Sequence, residues 1–380
     1  MFSESIDFIK SLYAGKEEIS LHEPVFAGNE RKYVLDAIDS TFVSSVGEYV
    51  SRFEAEFCKY TGARYAVVTA NGTLALHASL YLLDVKPGDE VLTQALSFVA
   101  TANAITYCGA FPIFVDSDPN NLGMSAEKLE AFLKQNAEVT NAGCVNKKTK
   151  RLIKACVPMH VFGHPVEIEK IVKICSDYRI AVVEDAAEAL GSRSHGKHLG
   201  LFGKMGVFSF NGNKIVTSGG GGMIVTDDPE LAKRAKHITT TSKIPHAWSF
   251  SHDELGFNYR MPNLNAALAC AQLERAEEFV LNKRGTAKLY QEHFAKTPIK
   301  FLQEPAGARS NYWLNAIFLK DSTERDLFLK ECHARGVRTR PAWDLLSQLP
   351  MYRTCQTTGL ENAESIVDRL VNLPSSVRPS

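Results

Sequence analysis

A single lysine, Lys214, stands in "VFSFNGNKIVTSGGGGMIV" (207–225), between an aromatic strand-like run and four consecutive glycines. The glycines at 219–222 allow the backbone to pass close to a ligand, which suits a lysine that must meet a bulky molecule. Twenty-nine residues earlier, Asp185 ends the apolar run "AVVED". A carboxylate in that place either caps the next helix or anchors a cationic ring nitrogen. Ser209, five residues before Lys214, can add a hydroxyl to a phosphate. Asn71-Gly72-Thr73 opens a helical run with backbone N–H groups and a hydroxyl, another setting for an anion. A nucleotide-binding loop of the GxxxxGK[ST] kind does not fit, since Asn213 separates Gly212 from the lysine and Ile215 follows it. Phosphate donors, a carboxylate for a ring nitrogen and a Schiff-base lysine are together what pyridoxal phosphate requires.

These residues need a frame. From 64 to 226, short apolar runs alternate with helical patterns: "RYAVVTA", "DEVLTQA", "FPIFVD", "LIKACVPMH" and "AVVEDA" read as strands, with helices such as "TLALHASLYLL" and "FVATANAITYCG" between them. That alternation predicts an α/β fold, a mostly parallel sheet covered by helices, with ligands beyond the carboxyl ends of the strands. Residues 136–150 read as a polar insertion loop, and "SRSHGKHLG" as a turn or hairpin. After Arg260 the pattern becomes one long helix, with Asn263 as a candidate N-cap and Gly285 as a candidate bend. A smaller α/β unit follows. The expected organisation is an N-terminal arm (1–24), a large cofactor-binding domain (25–260), and a long helix with a small C-terminal domain (261–380). Phe2, Ile6, Ile9 and Tyr13 fall at helical spacing, as in an arm helix packed on a partner surface.

The bulk properties exclude other classes. The 380 residues are 45% hydrophobic, and 43 basic residues balance 43 acidic ones. A chain without net charge lacks the basic face that nucleic acid or an anionic membrane selects. The eight cysteines show no CxxC pair, so no metal site is expected, and they read as free thiols of a reducing, cytoplasmic compartment. No run approaches the ~20 apolar residues of a membrane span.

The motifs "FVSSVGEYVSRFE", "NGTLALHASL", "SFVATANAI", "VEDAAEALGS", "GVFSFNGNKIVTSGGGGMIVTDD", "ELGFNYRMPNLNAALACAQLE" and "RTRPAW" resemble those of the sugar-nucleotide aminotransferases named after DegT, DnrJ, EryC and StrS. The resemblance covers nearly the whole chain and implies the type I aminotransferase fold. It implies that Lys214 holds the cofactor and moves a proton between its C4′ carbon and the sugar. Asp185 would pair with the ring nitrogen and Phe98 would stack on the ring. Gly72, Thr73 and Ser209 would hold the phosphate, and Asn258 would reach the phosphate of a neighbouring subunit, making a homodimer with shared sites. Many family members carry Gln where this chain has Glu188, near the cofactor's 3-oxygen. A carboxylate there should be protonated or turned away. Tyr259, Arg260, His160 and Trp313 stand in motifs that line the family's substrate cleft, although His160 also suits a packed, hydrogen-bonded role. Arg338 and Arg340 could reach a diphosphate or cover the small domain.

The texture of "EDAAEALGS", "FSFNGNKI" and "RSNYWLNA" resembles the branch that aminates C4 of a UDP-linked 2-acetamido-2,6-dideoxy-hexos-4-ulose towards bacillosamine or legionaminic acid. The expectation is therefore transfer from L-glutamate to that sugar. The alternative is another keto-sugar nucleotide, dTDP- or GDP-linked and aminated at C3 or C4. A sensor that only binds the cofactor is a third reading, and the intact Lys214 and Asp185 weigh against it.

Overall fold

The computed structural model describes residues 2–378. Seven strands form the central sheet: β1 (Tyr65–Thr69), β2 (Glu90–Gln94), β3 (Phe111–Val115), β4 (Ile153–Val157), β5 (Ala181–Asp185), β6 (Met205–Ser209) and β7 (Gly222–Thr226). Their spatial order is β1-β7-β6-β5-β4-β2-β3. β7 is antiparallel to both neighbours and the other pairings are parallel, so six strands end at one edge. The residues after β1, β2, β4, β5 and β6 therefore converge there, and β7 starts there. A smaller antiparallel sheet follows, made of β8 (Lys300–Phe301), β9 (Asn315–Phe318), β10 (Arg340–Pro341) and β11 (Leu370–Leu373), in the order β8-β9-β11-β10.

The helices are α1 (Ser3–Leu12), α2 (Glu30–Asp39), α3 (Glu48–Thr61), α4 (Gly72–Leu82), α5 (Val99–Tyr107), α6 (Ala126–Asn136), α7 (Ile168–Asp177), α8 (Pro229–Thr239), α9 (Asn263–Leu273), α10 (Ala276–Phe294), α11 (Ser322–Ala334) and α12 (Glu361–Arg369). α4 is apolar nearly all round and is buried along most of its length, packed on the sheet, α5 and α8. α9 is rich in alanine, which lets it lie close between α2 and α3.

Four expectations change. The segment 136–150 is not a loop: Ala137–Thr140 and Gly143–Asn146 pair as an antiparallel hairpin. The long helix breaks at Glu274–Arg275, while Gly285 lies inside α10. Pro262, not Asn263, occupies the N-cap of α9, and Asn263 Nδ2 instead donates to Phe42 O at 2.7 Å. The fourth change concerns α1, which packs on its own chain. Ile6 and Ile9 are fully buried, the Phe2 ring meets Phe328 edge-on at 5.1 Å, and Tyr13 Oη donates to Pro374 O at 3.1 Å. The apolar face assigned to a partner is thus satisfied by α10, α11 and the small sheet.

Candidate active site

A cavity of about 710 Å³ opens at the carboxyl edge of the large sheet, with residues in and around the smaller sheet on its other wall. Gly72, Thr73, Phe98, Asp185, Glu188, Ser209, Lys214, Trp313, Arg338 and Arg340 all line it. The sequence scatters these residues over more than half the chain, and the parallel topology gathers them.

The floor at the end of β1 is an anion cradle. Asn71 caps α4, its Oδ1 accepting from Leu74 N at 2.9 Å, which leaves the N–H groups of Gly72 and Thr73 at the open helix end. A Cβ on Gly72 would come within 3.0 Å of Ser209 Cβ, so only glycine lets the helix start approach β6 this closely. The hydroxyls of Thr73 and Ser209 complete the cradle.

Glycines 219–222 do not line the cavity, contrary to expectation. A Cβ on Gly222 would lie 2.4 Å from the carbonyl oxygen of Asn71, and one on Gly221 would lie 2.4 Å from Met261 Cε and 2.5 Å from Ser218 Oγ. Gly221 and Gly222 permit close packing within the protein, and the contact of Gly222 with Asn71 fixes the helix start that faces the cavity.

Asp185 is 2% exposed at the end of β5. Its Oδ2 accepts from Thr101 Oγ1 at 2.7 Å and its Oδ1 from Ala187 N at 3.2 Å. Burial raises its pKa above the usual carboxylate value, against those two hydrogen bonds. A buried anion of this kind is compensated by a cation, and a protonated ring nitrogen would supply one. Phe98, half exposed at the N-cap of α5, presents a ring at the cavity and meets Trp343 edge-on at 6.3 Å. Phosphate cradle, buried carboxylate, aromatic ring and amine together fit pyridoxal phosphate.

Lys214 Nζ lies 4.0 Å from the centre of the Trp313 ring and donates to Glu188 Oε1 at 3.1 Å. Trp313 is itself fixed, its Nε1 donating to Asn213 O at 2.7 Å. Glu188 neither faces solvent nor turns away. It is 3% exposed, and its second oxygen accepts from Phe162 N at 2.9 Å. Burial pushes its pKa up to about 7, with Lys214 opposing the rise.

Other expected residues lie elsewhere. His160 is fully buried and outside the cavity wall, with Nε2 3.1 Å from Glu184 Oε2 and Nδ1 accepting from Val166 N at 3.3 Å. Both ring nitrogens are engaged, so the packed role describes it. Asn258, Tyr259 and Arg260 lie away from this chain's cavity. Arg260 Nε donates to Asn258 Oδ1 at 2.9 Å, and Tyr259 stacks on Phe257 with its hydroxyl 3.0 Å from His77 Nδ1. Arg340 is exposed at the cavity, and Arg338 pairs with Glu18 there. Thr101, Trp343 and His22 were not anticipated, although all three line the cavity or support it. Thr101 had a signal: it follows Phe98 by three residues, the spacing of one helix face.

The profile of the DegT/DnrJ/EryC1/StrS aminotransferase family matches residues 25–379. The chain is 37% identical over 357 residues to a GDP-perosamine synthase of Escherichia coli O157:H7, covering 94% of this chain and 93% of that protein. A GDP-perosamine synthase of Caulobacter vibrioides is 36% identical over 361 residues, with the same coverage. Among solved structures, the aminotransferase TlmJ from Streptoalloteichus hindustanus superposes with a TM-score of 0.85 at 29% identity, over 94% of this chain and 93% of that one. The chain belongs to the DegT/DnrJ/EryC1/StrS aminotransferase family, and is a pyridoxal phosphate-dependent aminotransferase of nucleotide-linked sugars.

Proposed function

We propose that this enzyme transfers the amino group of L-glutamate to the keto carbon, C4, of a GDP-linked 6-deoxy sugar. The observation that carries the choice of nucleotide is the name shared by three relatives: GDP-perosamine synthases of three bacteria, each 35–37% identical over 94% of this chain. The UDP-linked acetamido sugar suggested by local motif texture rests on shorter stretches and is the weaker reading.

Bound pyridoxal phosphate supplies an electron sink that makes an amino group transferable between two carbon skeletons. The chain's own residues do the rest. Gly72, Thr73 and Ser209 would hold the phosphate, and Asp185 would keep a proton on the ring nitrogen by its charge. Phe98 would cover the ring. With the cofactor bound, Lys214 Nζ, held against the Trp313 face and by Glu188, would move a proton between the cofactor's C4′ carbon and the substrate carbon. Arg340, a cation without an ion-pair partner among the described residues, suits the diphosphate of the nucleotide, with Arg338 beside it. Asn258, Tyr259 and Arg260 would serve the cavity of a second copy of the chain.

Calorimetric titration of the enzyme with GDP, UDP and dTDP tests the base. GDP should bind at least about tenfold tighter than the other two, a difference of ~1.4 kcal/mol. Tighter binding of UDP would overturn the proposal in favour of the UDP-linked sugar.

A further inference from the structure

One stretch of the cavity wall, holding His22 and Asn372, takes no part in binding the cofactor. Both ring nitrogens of His22 and the Oδ1 atom of Asn372 are buried, and none of the three has a hydrogen-bond partner among the described residues. Buried polar atoms are nearly always paired, so unpaired ones on a cavity wall mark a place that a ligand completes. The backbone around His22 is fixed from two sides. Ile19 N donates to Gly336 O and Arg338 N to Ile19 O, both at 2.8 Å, while Ser375 N donates to Leu21 O at 2.7 Å. Glu23 N donates to Ser376 Oγ at 2.9 Å. The imidazole is thus carried on a segment clamped between the lead-in to β10 and the chain beyond β11.

The place of the two residues says which part of a substrate they meet. Asn372 on β11 stands directly across from Arg340 on β10, and residues paired in an antiparallel ladder point to one face of the sheet. Arg340 is the cation that suits the diphosphate. His22 lies close enough to Lys214 to feel its charge. In a nucleotide-linked sugar the hexose is bonded to the diphosphate, and its keto carbon must come to Lys214. The hexose therefore spans the interval with Asn372 beside one end and His22 beside the other. Burial above all, with Lys283 and Lys214 adding to it, holds the His22 pKa well below the usual imidazole value, so the neutral ring offers one N–H and one lone pair. Asn372 Oδ1 offers lone pairs alone. A sugar hydroxyl can donate to either residue and accept from the ring. A carboxylate of the amino donor could use the ring N–H but has no hydrogen for Asn372.

We propose that His22 and Asn372 form the hexose subsite of the acceptor, hydrogen-bonding hydroxyls of the sugar between its diphosphate and its keto carbon. This rests on the reading of the cavity as a nucleotide-sugar site and is independent of the base.

The two half-reactions of the full-length enzyme separate the sugar from the amino donor. His22→Phe keeps a planar ring and removes both nitrogens, and Asn372→Leu keeps the volume and removes the amide. kcat/KM is measured with glutamate and with whichever of the GDP-, UDP- and dTDP-linked 4-keto-6-deoxy sugars the wild type converts fastest. In each variant kcat/KM for the sugar should fall about 10- to 100-fold further than kcat/KM for glutamate, the loss expected when one or two buried hydrogen bonds to a substrate are removed. His22→Gln, which can both donate and accept, should recover part of that loss. Two readouts need no turnover. His22→Phe should bind the bare nucleoside diphosphate of the same base as tightly as wild type, because that ligand has no hexose. It should also unfold at the same or a higher temperature, because two unpaired buried nitrogens are gone. Equal losses in both half-reactions, no loss with the sugar, His22→Gln no better than His22→Phe, or diphosphate binding that falls along with the sugar would each overturn the subsite. Conversion of none of the three sugars by the wild type would sink the nucleotide-sugar reading and the subsite with it, whereas a preference for UDP over GDP would overturn the base alone.

Discussion

At the residue scale, the chemistry was largely legible because it depends on residue types that a chain seldom places together without cause. Asp185 at the end of an apolar strand and Lys214 ahead of four glycines point to one ligand, and both line one cavity. Glu188 was less legible. Its partners come from a turn 26 residues upstream and a loop 26 residues downstream, and nothing in "EDAAEALGS" announces either contact. His160 stood open between a cleft residue and a packed one. A histidine at a strand end looks functional, but its neighbours Glu184 and Val166 use both ring nitrogens. Asp185 carries the sharpest prediction. Asp185→Asn keeps the shape and can keep the contact with Thr101, but loses the negative charge that stabilises a protonated ring nitrogen. Turnover should fall by at least about 10²-fold, in the range typical of lost electrostatic stabilisation, with thermal stability held or raised because a buried charge is gone. Comparison of kcat with the unfolding midpoint decides this, and normal turnover in the variant would remove the charge from the account.

At the element scale, periodicity located most of the strands and helices, and punctuation was harder to read. Glu274 and Arg275 end one helix and begin the next with no proline or glycine, because tertiary packing of α9 between α2 and α3 sets the break. Gly285, the obvious breaker, is carried within α10 by its neighbours. The hairpin in 137–146 has strands of only four residues each, next to the charged run 146–151, so the alternation of Ala137-Glu138-Val139-Thr140 is too short to stand out as a strand. The glycine run was recognised as important, yet at Gly221 and Gly222 the reason is packing. Gly222→Ala tests that reason. The added methyl would meet a backbone oxygen, Asn71 O, at 2.4 Å, and backbone yields less readily than a side chain. The variant should lose about 1–3 kcal/mol of stability by denaturant titration. It should also retain the cofactor less well than wild type through dialysis, because Asn71 opens the phosphate cradle. Wild-type stability and retention would show that the contact is slack.

At the scale of the whole molecule, the sequence indicated a ligand site beyond the carboxyl ends of the strands, and the cavity opens there, walled also by residues of the smaller sheet. Asn258, Tyr259 and Arg260 sit apart from their own cavity, and Phe42, Val46, Trp248, Phe250 and Leu255 are large apolar side chains left exposed. If two copies share sites, mixing an Asn258→Ala chain with a Lys214→Ala chain gives heterodimers in which one site carries both defects and the other carries neither. Activity should then recover towards that of one site in two, after allowance for random pairing, whereas Asp185→Ala mixed with Lys214→Ala should recover none. No recovery in the first mixture, with exchange demonstrated and each variant inactive alone, would contradict shared sites. The most direct test of the account, amino transfer in this cavity to a GDP-linked keto sugar, is one spectroscopic experiment. The enzyme carrying its cofactor in the amine form is mixed with GDP-, UDP- or dTDP-linked 4-keto-6-deoxy sugars at equal concentration. The visible absorbance of the aldehyde form should return fastest with the GDP-linked sugar, one equivalent of amino sugar appearing per site. Return with the UDP- or dTDP-linked sugar alone, or with none of the three, would contradict it.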